Sequence, residues 1–339
     1  MRHYDLIADL PVAVESLTLQ RRERDTSSGF TRVTTTVELG GDGHVGRGED
    51  VCYEADDHDP YPRPDLAGTY EFDGFSAALE RGDLWPEEPS QHHAPAMRRW
   101  AFESAALDLA LKQAGMTLGE ALDREPEPVR FVVSTRLDGF DRIEAVFAVN
   151  PDAEFKLDPT PEWSDDLLER LADTGRVRTL DLKGLYEGTE VDTEPDPEFY
   201  ERVLSAFPEA VIEDPGVTEE TTPVLEPETD RLAWDYPITG VPSVQALPWE
   251  PNWLNIKPSR FGTVESLFDT IDYARTRDVS LYGGGQFELG VGREQIQALA
   301  ALFYPDGPND VAPGGYNDPD LSPSLPTSPL DPPVGFGRR

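Results

Sequence analysis

Lysine is scarce in this chain, and three of its four copies stand close to carboxylates. Lys156 precedes Asp158 by two residues, Lys183 follows Asp181 by two, and Lys257 follows Asp235 by 22. Between them lie Glu213 and Asp214. Asp181, Glu213 and Asp235, spaced by 32 and 22 residues, would form a ring of hard oxygen donors if one end of a sheet presented them together. Such a ring suits Mg²⁺, with Mn²⁺ as the alternative ion, and leaves coordination positions open for a substrate. Lysines beside a metal-held anion can serve as base or as cationic partner. Lysine can lose its proton near neutrality and arginine cannot, and crowding by other cations would favour that loss. For Lys183 a plain ion pair with Asp181 is the competing explanation, because strand residues two apart share a face.

The elements that must position these residues read as follows. From about residue 129, short apolar strands alternate with amphipathic helices. The strands fall at 129–134, 154–158, 178–183, 210–214, 231–235, 253–257 and 280–284, with helical stretches at 165–172, 198–207, 264–276 and 293–303. Seven strands repeating every 21–32 residues predict parallel βα units closing into a barrel, whose site lies at the C-terminal strand ends. An open doubly wound sheet is the alternative, but no glycine-rich phosphate turn follows the first strand. Upstream, 14–19 and 31–39 read as strands, and Gly-Gly-Asp-Gly at 40–43 as a turn. An alanine-rich helix spans 97–114, with Gly115 placed to end it, and its alanines imply close packing on a neighbour. The expected organisation is an N-terminal α+β domain at 1–128, a barrel at 129–305 and a Pro-rich segment at 306–339 packed on the first domain.

Composition narrows the partners. With 29 Lys+Arg against 66 Asp+Glu, the formal charge of −37 repels phosphate, so nucleic acid and anionic membranes are disfavoured. No apolar stretch approaches the roughly 20 residues that span a bilayer, and the N-terminus lacks a signal-peptide core. Cys52 is the single cysteine, so a disulfide within the chain is excluded. A cytoplasmic protein is expected, and a homo-oligomer is compatible with the sequence. All five histidines precede residue 94, which implies that the barrel's chemistry proceeds without imidazole. Many acids with almost no lysine is the composition of a salt-loving protein; arginine-favouring codon bias is the alternative. The two differ in outcome: screening of self-repulsion should raise the melting temperature between dilute buffer and molar KCl. A flat or falling curve would favour codon bias.

Three segments, IEDP at 212–215, NIKPSRFG at 255–262 and GGGQFELGVG at 283–292, together with the strand-end spacing, resemble the enolase superfamily. The likeness is to its branch of muconate-lactonizing and o-succinylbenzoate-synthase-like enzymes, within the wider mandelate racemase/muconate-lactonizing family. GRGED at 46–50 resembles the G-x-G-E strand end of the family's first domain. The resemblance implies an α+β capping domain on a modified TIM barrel, (β/α)₇β, that binds Mg²⁺ and abstracts the proton α to a carboxylate through a metal-stabilised enolate. It matches Asp181, Glu213 and Asp235 to the metal ligands, Lys257 to the sixth-strand lysine and Lys156 to the first lysine of a Lys-x-Lys. It further implies that the loop at 26–30 and the segment after Glu49 cover the substrate. Three positions depart from the pattern. Asp158 replaces the second lysine, Lys183 the asparagine of Asp-x-Asn, and Asp235 precedes Tyr-Pro-Ile.

The sequence therefore predicts a divalent-metal lyase (dehydratase or cycloisomerase) or epimerase acting on a small carboxylate. Lys156, Lys183 and Lys257 are its acid–base candidates, and Arg260 and Glu288 its contacting or orienting groups. The competing expectation is a barrel that keeps the metal and binds a ligand without proton chemistry.

Overall fold

In the computed structural model, which describes residues 2–85, 88–186, 189 and 191–338, the chain begins with β1 (Pro11–Val14). An antiparallel sheet follows, made of β2 (Ser16–Asp25), β3 (Thr31–Gly41) and β4 (His44–Asp50). β5 (Gly68–Glu71) returns to pair with β1, and α1 (Phe72–Arg81), α2 (Ala94–Gln113) and α3 (Leu118–Ala121) complete this part. The alanines of α2 do what their number implies. A Cβ on Gly46 would lie 2.2 Å from the Ala105 carbonyl oxygen, and one on Gly48 2.0 Å from that of Ala101. Strand β4 thus lies directly on the helix backbone. Gly115, in the left-handed region at φ +69°, ends the helix.

The barrel strands are β6 (Val133–Thr135), β7 (Phe155–Leu157), β8 (Val177–Asp181), β9 (Val211–Glu213), β10 (Leu232–Trp234), β11 (Trp253–Ile256) and β12 (Ser280–Gly283). They form one parallel sheet in chain order. All seven lie at the positions read from sequence. Between them run α4 (Asp141–Val149), α5 (Asp165–Asp173), α6 (Pro197–Ala206), α7 (Thr222–Leu225), α8 (Val241–Gln245), α9 (Val264–Arg275) and α10 (Val291–Phe303). The Pro- and Thr-dense connections after β9 and β10 form only the short α7 and α8, as poor helix formers should. The architecture is α/β, a modified TIM barrel beside a separate antiparallel N-terminal unit.

Closure comes from the segment after residue 305. Asn309 bridges Phe131 and Asp310 bridges Gly284, both in parallel sense, so 309–310 spans the gap between β6 and β12. The buried Asn309 side chain stitches the seam. Its Oδ1 accepts from Gly283 N at 2.6 Å, and its Nδ2 donates to the Arg130 and Tyr304 carbonyls at 2.9 and 3.0 Å. The boundary expected at 305 thus falls short of the bridging segment at 309–310. Beyond it the tail touches both parts of the molecule: Leu330 exchanges two hydrogen bonds with Val129, and Gly337 N donates to Asp108 on α2. No helix among the described residues is long and apolar enough to cross a membrane.

A buried carboxylate helps join the two parts. Glu49, at the end of β4 and 1% exposed, accepts from the backbone N–H groups of Leu289, Gly290 and Gly292 at 2.7–3.0 Å. It thereby satisfies orphan donors at the start of α10, where a negative charge also meets the positive helix end. Glu49→Ala should strand those buried donors and destabilise the protein by about 3 kcal/mol. Denaturant unfolding measures this, and a loss below about 1 kcal/mol would mean that water replaces the carboxylate without penalty.

Candidate metal and active site

Register explains how the carboxylates meet. Asp181 pairs with Glu213 across β8 and β9, and Glu213 pairs with Ala233 on β10, two residues before Asp235. Carboxylate oxygens of Asp181, Glu213 and Asp235 lie within 4.8 Å of one another, and all three residues are buried. Lys156 on β7 pairs in register with Thr179, two residues before Asp181. Its Nζ donates to Glu213 and lies 3.5 Å from Asp181. Strand β8 stops at Asp181, and Lys183 lies past it in the left-handed region at φ +54°. From that turn its ammonium folds back onto Asp181, with Asp158 at 3.9 Å. The Asp181–Lys183 ion pair exists, and it stands inside the site. On the opposite flank Lys257 Nζ is 2.9 Å from Asp235, and Arg260 donates to the same carboxylate at 2.9 Å. Gly284 makes room here, since a Cβ on it would lie 2.7 Å from Lys257 Cε and 2.5 Å from Asn255 Oδ1.

Several participants escape sequence reading. Asp310, on the closing segment, lies 3.7 Å from Lys156 Nζ. Tyr282 on β12 donates to Glu213, and Asn255 Nδ2 donates to it at 3.1 Å. Tyr186 donates to Asp235 at 3.2 Å. Asp214, also left-handed at φ +47°, accepts from the N–H groups of Asp235 and Tyr236 at 2.8 Å each and so fixes the β10 end. Glu288 points elsewhere. It accepts from Gln286 N at 2.6 Å and pairs with Arg293 at 2.9 Å, organising the turn after β12. That turn meets both loops singled out in the N-terminal part. Phe30 packs edge-on against Phe287 at 5.4 Å, and Tyr53, in the segment after Glu49, donates to Gln286 at 2.7 Å.

The electrostatics bear on a metal. Asp158, Asp181, Glu213, Asp214, Asp235 and Asp310 gather with Lys156, Lys183, Lys257 and Arg260 in one buried to half-buried region. Burial, then the charges of Asp181 and Asp235 working against Lys156, push the Glu213 carboxyl well above the usual range. Burial and the same two neighbours raise Asp214 to about 7. A site that must protonate its own carboxylates is short of positive charge, and three hard oxygen donors fit a divalent cation of the Mg²⁺ class. The lysines differ from expectation. Burial lowers Lys156 and Lys183, but Glu213, Asp181 and Asp310 around the first, and Asp158, Asp181 and Glu213 around the second, outweigh it and hold both well above the normal lysine value. Carboxylates, rather than other cations, are their dominant neighbours.

This fold is that of the enolase superfamily. Among solved structures it is similar to an enolase-superfamily protein from Listeria innocua, with TM-score 0.64, 19% identity and coverage of 89% of this chain and 86% of that one. A dipeptide epimerase from Methylococcus capsulatus complexed with Mg ion gives 0.63 and 19%, over 91% and 88%. A muconate lactonizing enzyme from Pseudomonas putida gives 0.65 and 18%, over 88% of each. No curated protein matches the sequence. The chain belongs to the family described as domain of unknown function DUF8230, whose N-terminal domain model matches residues 5–121 and C-terminal domain model residues 125–318.

Proposed function

We propose that this protein is a Mg²⁺-dependent enzyme, a lyase or an isomerase, that removes the proton α to the carboxylate of a small acid. The observation that carries the reading is a buried triad, Asp181, Glu213 and Asp235, flanked on both sides by the chain's rare lysines. The three carboxylates would hold the ion, with Mn²⁺ fitting the same donors. Bound there, the metal would act as a Lewis acid on a substrate carboxylate. The chain's own groups do the rest. Lys156 and Lys183 reach the triad from β7 and the turn after β8, Lys257 from the end of β11, so a substrate carbon between them would meet an amine on each side. One lysine takes the proton, and the other returns it or stabilises the charge left behind. Neutralising the triad would weaken the pull that keeps Lys156 and Lys183 protonated, leaving Asp310 and Asp158 to oppose burial, which favours the free amine. Arg260 holds Asp235 in place and keeps its carboxyl low. A cytoplasmic location and a small-molecule partner go with this reading.

A metal-retaining barrel that binds a ligand without reacting is the second reading, favoured by the pairing of Lys183 with Asp181 and Asp158. The experiment is a screen of small carboxylates for Mg²⁺-dependent thermal shifts, followed by ¹H NMR of the binders in D₂O. Exchange of the α-proton supports the enzyme.

A further inference from the structure

We propose that Lys183 acts as an internal cation of the metal site: its ammonium covers Asp181 in the metal-free protein and moves to Asp158 when a divalent cation takes that carboxylate. The Lys183–Asp158 pair thereby sets the metal affinity of the site. This rests on the metal part of the proposed function above and adds a moving part to it. Lys183 engages both oxygens of Asp181: its backbone N–H donates to Oδ1 at 3.2 Å, and its ammonium pairs with Oδ2. Lys156 Nζ stands 3.5 Å from that same Oδ2. A metal ion on Asp181 therefore meets an ammonium that already holds the carboxylate, and two positive charges at such range repel strongly in a buried place.

A second partner for the displaced ammonium stands beside the first. Asp158, half-buried just past β7, has an oxygen 3.9 Å from Lys183 Nζ, and Lys183 is its one ion-pair partner among the described residues. A move of about 1 Å would bring the two to the distance of an ordinary charge-assisted hydrogen bond. The Tyr186 ring, its centroid 4.7 Å from Nζ, lies alongside and offers the cation a face. The Lys183 side chain has room to move, being 14% exposed where that of Lys156 is 3% exposed. The backbone has none. A Cβ on the next residue, Gly184, would lie 2.3 Å from Gly216 N, and Gly184 N donates to the Asp214 carbonyl at 3.0 Å. The motion therefore belongs to the flexible lysine stem, while the turn that carries it stays fixed.

The test is a calorimetric titration with Mg²⁺ alone at constant ionic strength. Only molecules with Asp181 uncovered are competent to bind, so Lys183→Met should bind Mg²⁺ about tenfold more tightly than the wild type. Asp158→Asn, which takes away the second partner, should bind about tenfold more weakly. That loss should largely vanish when Lys183→Met is already present, since the two residues act as a pair. Lys183→Gln, uncharged but still able to donate to Asp181, should also tighten binding and guards against a folding defect in the methionine variant. In the wild type, ¹³C-labelled lysine gives one set of side-chain NMR signals for each of four residues. The signal of Lys183, identified by its loss in Lys183→Gln, should shift with Mg²⁺, and that of Lys112 on α2 should not. Unchanged or weaker Mg²⁺ binding in both lysine variants, a Lys183 signal that stays in place at saturating Mg²⁺, or an Asp158→Asn loss that persists undiminished without Lys183 would each overturn the switch. All three leave the triad intact as the metal site. Absence of Mg²⁺ binding in the wild type and every variant would overturn both together.

Discussion

Glu213→Gln should lose the stabilisation that Mg²⁺ confers on the wild-type protein. An ion bound only by the folded state stabilises it by mass action, about 3 kcal/mol at a hundredfold excess over Kd, which a thermal scan reads as several degrees. The metal-free variant should stay folded. The metal-free Glu213 carboxyl already favours its uncharged form, and an uncharged isostere still offers Tyr282 an acceptor. The pH dependence has a definite sign. Because the Glu213 carboxyl lies above the usual range, its protonated form is favoured in the fold. Its contribution to metal-free stability is therefore present at low pH and is lost as pH rises through the folded pKa. A cation must displace that proton, so Mg²⁺ affinity should weaken by about tenfold per pH unit on the acid side. An undiminished Mg²⁺ response in Glu213→Gln would remove the triad as the metal site.

The features legible in the sequence are those that depend on short range. Seven strands were readable because each is a short apolar run between turns and helices, and Asp181, Glu213 and Asp235 because each stands at or just past the end of such a run. The alanines of α2 announced a close packing, which its approach to the glycines of β4 bears out. The unreadable parts depend on distance in the chain. The closing segment 309–310 makes one bridge on each side in a Pro-rich stretch, so no period marks it; its signal is the buried Asn309 side chain, which only the fold supplies. Asp310, Tyr282 and Tyr186 reach the site from three separate elements. None has a spacing to the triad that would select it from the chain's other acids and aromatics. Lys183 was read as a strand residue; its left-handed backbone places it in the turn beyond and turns its ammonium back onto Asp181. The misjudged lysine environment has a geometric cause: the barrel brings Glu213, Asp181 and Asp158 closer to the ammonium groups than it brings other cations.

Lys156→Met and Lys257→Met should each slow exchange of a substrate's α-proton with solvent, by about 10²-fold or more for whichever lysine is the base. The warrant is their placement. β8, β9 and β10 lead into the three carboxylates, while Lys156 on β7 and Lys257 after β11 bracket those strands from either side. An acid bound at the triad would lie between two amines that differ in their partners, Glu213 for one and Asp235 for the other. Removing the base should give the larger loss; removing the other should slow exchange less and impair turnover or stereochemical course. Methionine approximates the stem and omits the charge, so packing changes little. Lys183→Met is the control for a scaffold role. Its loss leaves buried Asp181 and half-buried Asp158 with less compensation, so stability should fall by about 3 kcal/mol. If stability falls and exchange persists, Lys183 belongs to the frame; if exchange falls as well, it joins the acid–base set. The experiment uses the carboxylate that gives the largest Mg²⁺-dependent shift, in D₂O, with each variant's Mg²⁺ response measured alongside. A tight binder that shows no deuterium incorporation with the wild-type protein would decide for the ligand-binding barrel, and the lysine base would be withdrawn for that ligand.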